Sequence, residues 1–206
     1  MTYATDLFDG LLADVITLTA RPDLEAETAL ALRTATNNAH FSDAYPRDVQ
    51  TQVIQLVEAG YAESFDLPTL FPRLRGISSV KLLDINYQPV IFTPENAIQI
   101  IELSDVYDSY GALRSNVAYI AGDKLHVRTA VASYGFLVEW FKAPSTRRVD
   151  YSSWIAQLYP DVIIYWAASI VLSTNGNEEK ANKYMTMTVQ LHIPYLKANF
   201  LLGELR

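Results

Sequence analysis

The chain has 206 residues, half of them hydrophobic and 12% aromatic, with a formal net charge of −7. That supplies one large domain, or a domain with a substantial insertion, and excludes wholesale disorder. The acidic balance disfavours wrapping of DNA or RNA as the main activity, and the lack of cysteine excludes disulfides, thiolate catalysis and cysteine-based zinc sites.

The opening residues "MTYATDLFDGLLADVITLT" carry acid where a secretory leader needs base, so they read as a mature cytosolic start. Leu7, Phe8, Leu11, Leu12, Val15 and Ile16 fall at helical spacing, with Thr5 placed to cap and Asp6 suited to the positive helix start. "ARPDLEAETALALRTATNNA" begins a second helix at Pro22 and Asp23, and "TNNAH" ends it. Residues 1–44 are therefore expected to form a helical hairpin whose apolar faces need further helices to cover them.

Residues 45–145 change character. "DVQTQVIQLVE" and "ISSVKLLDINY" are strand-like runs bounded by Pro or Gly. A short helix is expected next, capped by Thr93, started by Pro94, with Ala97, Ile98 and Ile101 on one face. "NVAYIAGDKLHVRT" reads as a hairpin turning at Gly122-Asp123, and "YGFLVEWFKAP" as a strand stopped by Pro144. A segment this long between helices is expected to be a structured, β-rich subdomain rather than a loop.

Residues 146–206 return to helix. Tyr159 precedes proline and is pushed out of helical geometry. Pro160 then starts a helix that is apolar nearly all round and belongs at the centre of a bundle. No run reaches the roughly 18 consecutive apolar residues of a membrane span. Asn175-Gly176 closes this helix, and Asn177 with Glu178 and Glu179 opens the last one. Its apolar face is read as Ala181, Tyr184, Met185, Thr188, Leu191, Tyr195 and Ala198, and Pro194 should kink or break it. The fold class expected is α+β: a bundle built by N- and C-terminal helices, with a β-rich insertion between them. Its core is expected at Leu11, Val15, Ile164, Ala167, Ala168, Val171, Tyr184 and Leu191.

Catalytic signatures are missing. There is no phosphate loop, dinucleotide fingerprint, HExxH, GxSxG or EF-hand pattern. His40, His126 and His192 fall in separate regions and read as a loop, a strand-surface and a helix histidine, with no metal implied. Asp6, Asp9 and Asp14 read as a solvated helix face, Glu178-Glu179 as a helix start, and the arginines of "FPRLRG" and "STRRV" as surface charge. No catalytic, cofactor or metal residue is assigned. Thirteen Tyr, eight Phe and three Trp fit a sheet core or an oligomer interface equally well.

The stretch "YPDVIIYWAASIVLSTNGNEEKANKY" carries a resemblance. Tyr159, Pro160, Ile164, Ala167, Ala168, Gly176, Glu178, Glu179, Ala181 and Tyr184 match a late segment of the head–tail adaptor (connector, head-completion) proteins of tailed bacteriophages. The order of elements along most of the chain is similar to that group. The resemblance implies a virion protein at the head–tail neck, assembled in the host bacterial cytoplasm. It would form a ring, commonly dodecameric, that docks under the portal protein and offers a surface to the tail or a further connector. Genomic DNA would pass through the ring without specific binding. It also implies a C-terminal tail that reaches the portal, here Phe200, Leu201, Leu202, Leu205 and Arg206 of "KANFLLGELR". A closed head-to-tail ring needs two different adhesive faces per subunit, and an acidic wall would repel passing DNA. Three other readings compete with it: a tail-completion or tail-terminator protein, an enzyme with carboxylates brought together by the fold, and an effector-binding signalling module.

Overall fold

The computed structural model describes residues 2–90 and 97–203, with side chains placed for residues 3–90 and 97–198. The chain is α+β and divides into two compact units: Met1–Arg47 with Pro144–Arg206, and Asp48–Ala143.

The first unit is helical. Helix α1 spans Thr2–Thr19 and α2 Glu25–Phe41, with a 3-10 turn at Pro22–Leu24 between them. Thr5, expected as the cap of the first helix, lies inside α1. Nothing between Thr2 and Thr5 breaks a helix, so a serviceable cap residue did not mark the start. Ala20 ends α1 in the left-handed region, at φ 57. After residue 144 come α4, Trp154–Leu158, and α5, Pro160–Thr174; α3 belongs to the other unit. Tyr159, at φ −139, separates the two, as the following proline requires.

Helix α5 ends in a Schellman turn. Gly176 N–H donates to the Ser173 carbonyl at 3.1 Å and Asn177 N–H to that of Leu172 at 2.9 Å, with Gly176 at φ 75. Helix α6 follows at Glu178–Met187. Asn177 stands at its cap position, but its side chain makes no cap bond; its backbone N–H serves the end of α5 instead. One core joins these helices. Leu11, Val15, Leu32, Ala35, Ile163, Ala167, Ala168 and Val171 are all buried in it. The alanines at 35, 167 and 168 let α2 and α5 approach closely.

A buried polar seam fastens α2 to α4 and the turn before it. Thr36 Oγ1 lies 2.7 Å from the Tyr151 hydroxyl, and His40 Nε2 2.9 Å from Ser153 Oγ. Ser153 Oγ also caps α4 by accepting from Ala156 N–H at 3.0 Å. His40 is thus a buried helix residue rather than a loop histidine. Burial pushes the Tyr151 phenol up to about 12, against a smaller opposing effect of the Thr36 hydrogen bond. The folded value lies above the unfolded value of about 10. The stabilisation from neutral Tyr151 is therefore complete below about pH 10 and is lost as pH rises towards about 12. Urea midpoints should fall across that window, and Tyr151→Phe should flatten the fall. Equal slopes in the two proteins would contradict this assignment.

The second unit is built on one long strand. Strand β1 covers Val49–Asp66, α3 Leu67–Leu70, β2 Leu74–Leu83, β3 Gln99–Ile100, β4 Val117–Ala121 and β5 Lys124–Lys142. The hairpin β4–β5 turns at Gly122-Asp123, with Gly122 at φ 59. The strand expected at "YGFLVEWFKAP" is the second half of β5 itself. Along one edge β5 pairs with β1 over both halves; along the other it pairs with β4 first and β2 afterwards.

The long ladder bends in its middle. Gln55 faces Gly135, Gly60 faces Ser133 and Ala62 faces Arg128, so both strands carry extra residues there. The inward face of β5 changes parity at the same place. Leu125 and Val127 point inward before the bend; Phe136, Val138 and Trp140 do so after it. The two halves close on one core, where Phe65 meets Phe136 edge-on at 5.6 Å and Phe71 meets Trp140 at 5.7 Å.

The helix expected to start at Thr93-Pro94 is corrected in its later part. Thr93 and Pro94 lie outside the described residues. Ala97, Ile98 and Ile101 are not helical: Gln99–Ile100 is a strand running parallel to β4. Gln99 N–H donates to Asn116 at 2.8 Å and Ile101 N–H to Ala118 at 2.9 Å. Three isoleucines within four residues suit a sheet edge better than a helix face.

Candidate assembly surface

The last helix carries the feature that decides which side chains it exposes. Between α6 and α7, Ile193–Gly203, the backbone forms a π-helical turn at Thr188–His192. Ile193 N–H donates to the Thr188 carbonyl, five residues back. Pro194 explains the turn. It has no N–H for the Gln190 carbonyl and its ring would strike that carbonyl in a regular helix; the wider turn removes the clash.

A π turn adds one residue to the helical phase. Ala181, Tyr184 and Thr188 are buried, as the regular spacing predicts. Beyond the turn, burial continues at Leu196, which is 0% exposed, with Ile193 packed against the core. Leu191 and Tyr195 are turned out to 58% and 60% exposure. Leu191 is therefore not a core residue, which corrects the sequence expectation. The other seven expected core residues, Leu11, Val15, Ile164, Ala167, Ala168, Val171 and Tyr184, are buried. Tyr195 meets Tyr159 edge-on at 6.4 Å, and Leu158 beside Tyr159 is half exposed. Leu191 and Tyr195 are thus exposed, large hydrophobic side chains on the segment that leads to the C-terminus, and Tyr195 reaches Tyr159 at the end of α4. Of the residues expected to reach a portal, Phe200, Leu201 and Leu202 lie in α7 without placed side chains, and Leu205 and Arg206 lie outside the described residues.

Asp9, Arg75, Arg147 and Arg148 are engaged in ion pairs within the chain. Arg148 pairs with Asp9 at 2.7 Å and Arg147 with Asp150 at 2.6 Å. Arg75 pairs with Asp48 at 3.1 Å, largely out of water, and its guanidinium lies 4.9 Å from the Phe141 ring centre. Ser79 and Lys81 hold the Glu139 carboxyl below the usual range, the Ser79 hydroxyl donating at 2.6 Å. Asp14 and Asp161 line a shallow, open groove with Thr17, Ile164 and Tyr165. His126 stacks on Tyr119 at 5.1 Å, and His192 on Tyr165 at 5.0 Å. Among the described residues no group of three His, Asp or Glu could hold a metal ion, and no helix is long and apolar enough to cross a membrane.

The sheet unit exposes its own aromatics. "DINYQ" at 84–88 and "DSYGA" at 108–112 form the same turn: the first Asp accepts from two backbone N–H groups, and the fourth residue has positive φ. Glycine fills that position in the second turn, but Tyr87 fills it in the first, at φ 57. A tyrosine held there costs about 1–2 kcal/mol relative to an unstrained backbone. Tyr110 in the partner turn is 94% exposed. The shared Asp and its spacing to the fourth residue are the signal that the sequence offers for both turns. At the bend of the long ladder, Val57, Tyr61, Val131 and Tyr134 are also exposed. The aromatic load is thus split between both cores and the surface.

No family model matches this chain, and no curated protein matches it.

Proposed function

We propose that the chain is a structural adaptor of a tailed-bacteriophage neck. In this reading the N- and C-terminal helices form a bundle with the β-rich unit inserted, and the subunits form a ring, dodecameric as in that group. The ring docks beneath the portal protein, extends the DNA channel and receives the tail or a further connector. The chain then acts by assembly, in the virion, rather than by turnover.

The observation that carries the reading is the exposure of Leu191 and Tyr195. A one-residue phase shift takes Leu191 and Tyr195 out of the core and presents them on the helix that runs into the apolar C-terminus. Apolar side chains kept outside on an ordered helix suit a partner surface. The exposed residues of the sheet unit supply the second, different face that a head-to-tail ring requires. The test is co-sedimentation with a portal ring. Leu191→Asp should reduce binding about ten-fold or more, through loss of one buried anchor, while leaving the melting temperature within a few degrees. Full binding by Leu191→Asp together with a C-terminal truncation at 199 would overturn the reading.

A further inference from the structure

We propose that the free protein self-associates through the outer edge of β1, as an antiparallel two-fold strand pair centred on Thr51.

The ladder fixes which peptide groups are available. Ala143 N–H donates to the Arg73 carbonyl at 2.8 Å, on the β2 side. Alternation along β5 then turns the peptide groups of Phe141 and Glu139 to β2, and those of Trp140 and Val138 to β1. Their register partners are Gln50 and Gln52, so these two residues bond β5. Val49, Thr51 and Val53 therefore point their N–H and C=O groups to the outer edge. The Val49 and Val53 carbonyls accept from the side chains of Gln50 at 3.1 Å and Gln52 at 3.2 Å, which fits their outward direction, and these two amides must swing aside for a second strand to pair there. Among the described residues no strand pairs with this edge.

The first part of the edge, ahead of the bend at Gln55, lacks the side chains that usually protect one. Residues 49–57, "VQTQVIQLV", hold no charge, no proline and no glycine. Natural sheets often blunt a free edge with charge or proline, because unpaired peptide groups recruit another strand. The flanking carboxylate, Asp48, is paired with Arg75 and nearly buried. Two chains that each carry −7 repel broadly, and this neutral segment adds no close like-charge pair to that repulsion.

The sequence also names the occupant. "VQTQV" reads the same in both directions. A two-fold axis through Thr51 sets Val49 opposite Val53, Gln50 opposite Gln52, and Thr51 opposite its own copy. Thr–Thr and Gln–Gln pairs are favourable cross-strand neighbours. Because Thr51 faces outward, the axis falls on a pair that exchanges both hydrogen bonds. The contact is small, so it is weak and concentration-dependent. It closes at two copies and does not build a head-to-tail ring, so it stands or falls separately from the adaptor reading.

The chain has no cysteine, which makes the test clean. Thr51→Cys should form a disulfide-linked dimer under mild oxidation about ten-fold faster than Ser64→Cys, an exposed position far along the same strand, because pairing raises the local thiol concentration. Sedimentation of the wild-type protein should shift from monomer towards dimer with concentration. Thr51→Lys should abolish the shift, as should Thr51→Pro, whose missing N–H faces away from β5. Equal cross-linking at 51 and 64 would overturn the proposal. So would a wild-type shift that both Thr51 variants retain.

Discussion

Gly135→Ala should destabilise the sheet unit by about 3 kcal/mol, at the upper end of what overpacking costs. A Cβ at Gly135 would collide with the Ile54 carbonyl oxygen and press the Leu83 side chain at 3.3 Å. The first obstacle is backbone in a paired strand, which has no rotamer through which to move. Gly135 also sits where β5 changes its inward face, between Ser133 and Phe136, so a shift there displaces the residues that close the core. Urea unfolding followed by near-ultraviolet circular dichroism is the measurement. Gly10→Ala is the contrast. A Cβ at Gly10 meets nothing within 4 Å, and it lies inside α1, so alanine should add about 0.5–1 kcal/mol. Similar small effects at both sites would show that the strands do not approach as closely as described.

Leu196→Ala should cost about 3 kcal/mol, and Leu191→Ala less than about 0.5 kcal/mol. Regular helical spacing from Ala181, Tyr184 and Thr188 predicts the reverse order. The difference rests on the π turn alone, which moves burial from 191 and 195 to 193 and 196. Leu196 is fully buried, so truncation leaves a cavity beside the core; Leu191 loses only a partly hydrated surface. Thermal melts of the two variants compare them directly. A larger loss for Leu191→Ala would mean that the helix keeps its regular phase past Pro194. Pro194→Ala is informative in the same way: without the clash at Gln190 the π turn loses its cause, and Leu191 gains a route back to the core.

Where local chemistry sets the outcome, the sequence is legible. Pro160 starts α5, Gly176 ends it, and Gly122-Asp123 turns the hairpin, because each of these residues restricts or frees its own backbone. The mixed helix and strand content follows from hydrophobic periodicity for the same reason. Misreadings arise where a distant partner decides. Ile98 and Ile101 fit a helical face on spacing, but Val117 and Ala118 pair with that segment and make it strand. "NVAYIAGDKLHVRT" and "YGFLVEWFKAP" look like separate strands because the bend at 129–134 interrupts the alternation; β1 on the other side keeps them one. Pro194 announces a disturbance, but not its form. A kink, a break and a π turn all answer the missing N–H, and only the π turn exchanges Leu191 for Leu196. The candidate surface was therefore concealed by a phase error of one residue, and the strained Tyr87 turn by its lack of glycine.

The adaptor reading is tested most directly by cryo-electron microscopy of the neck of a virion that contains this chain. The expected density is a ring of copies directly beneath the portal, with Leu191 and Tyr195 buried against a neighbouring protein. A neck with no density able to hold this chain, or a ring in which those two side chains face solvent, would contradict the reading.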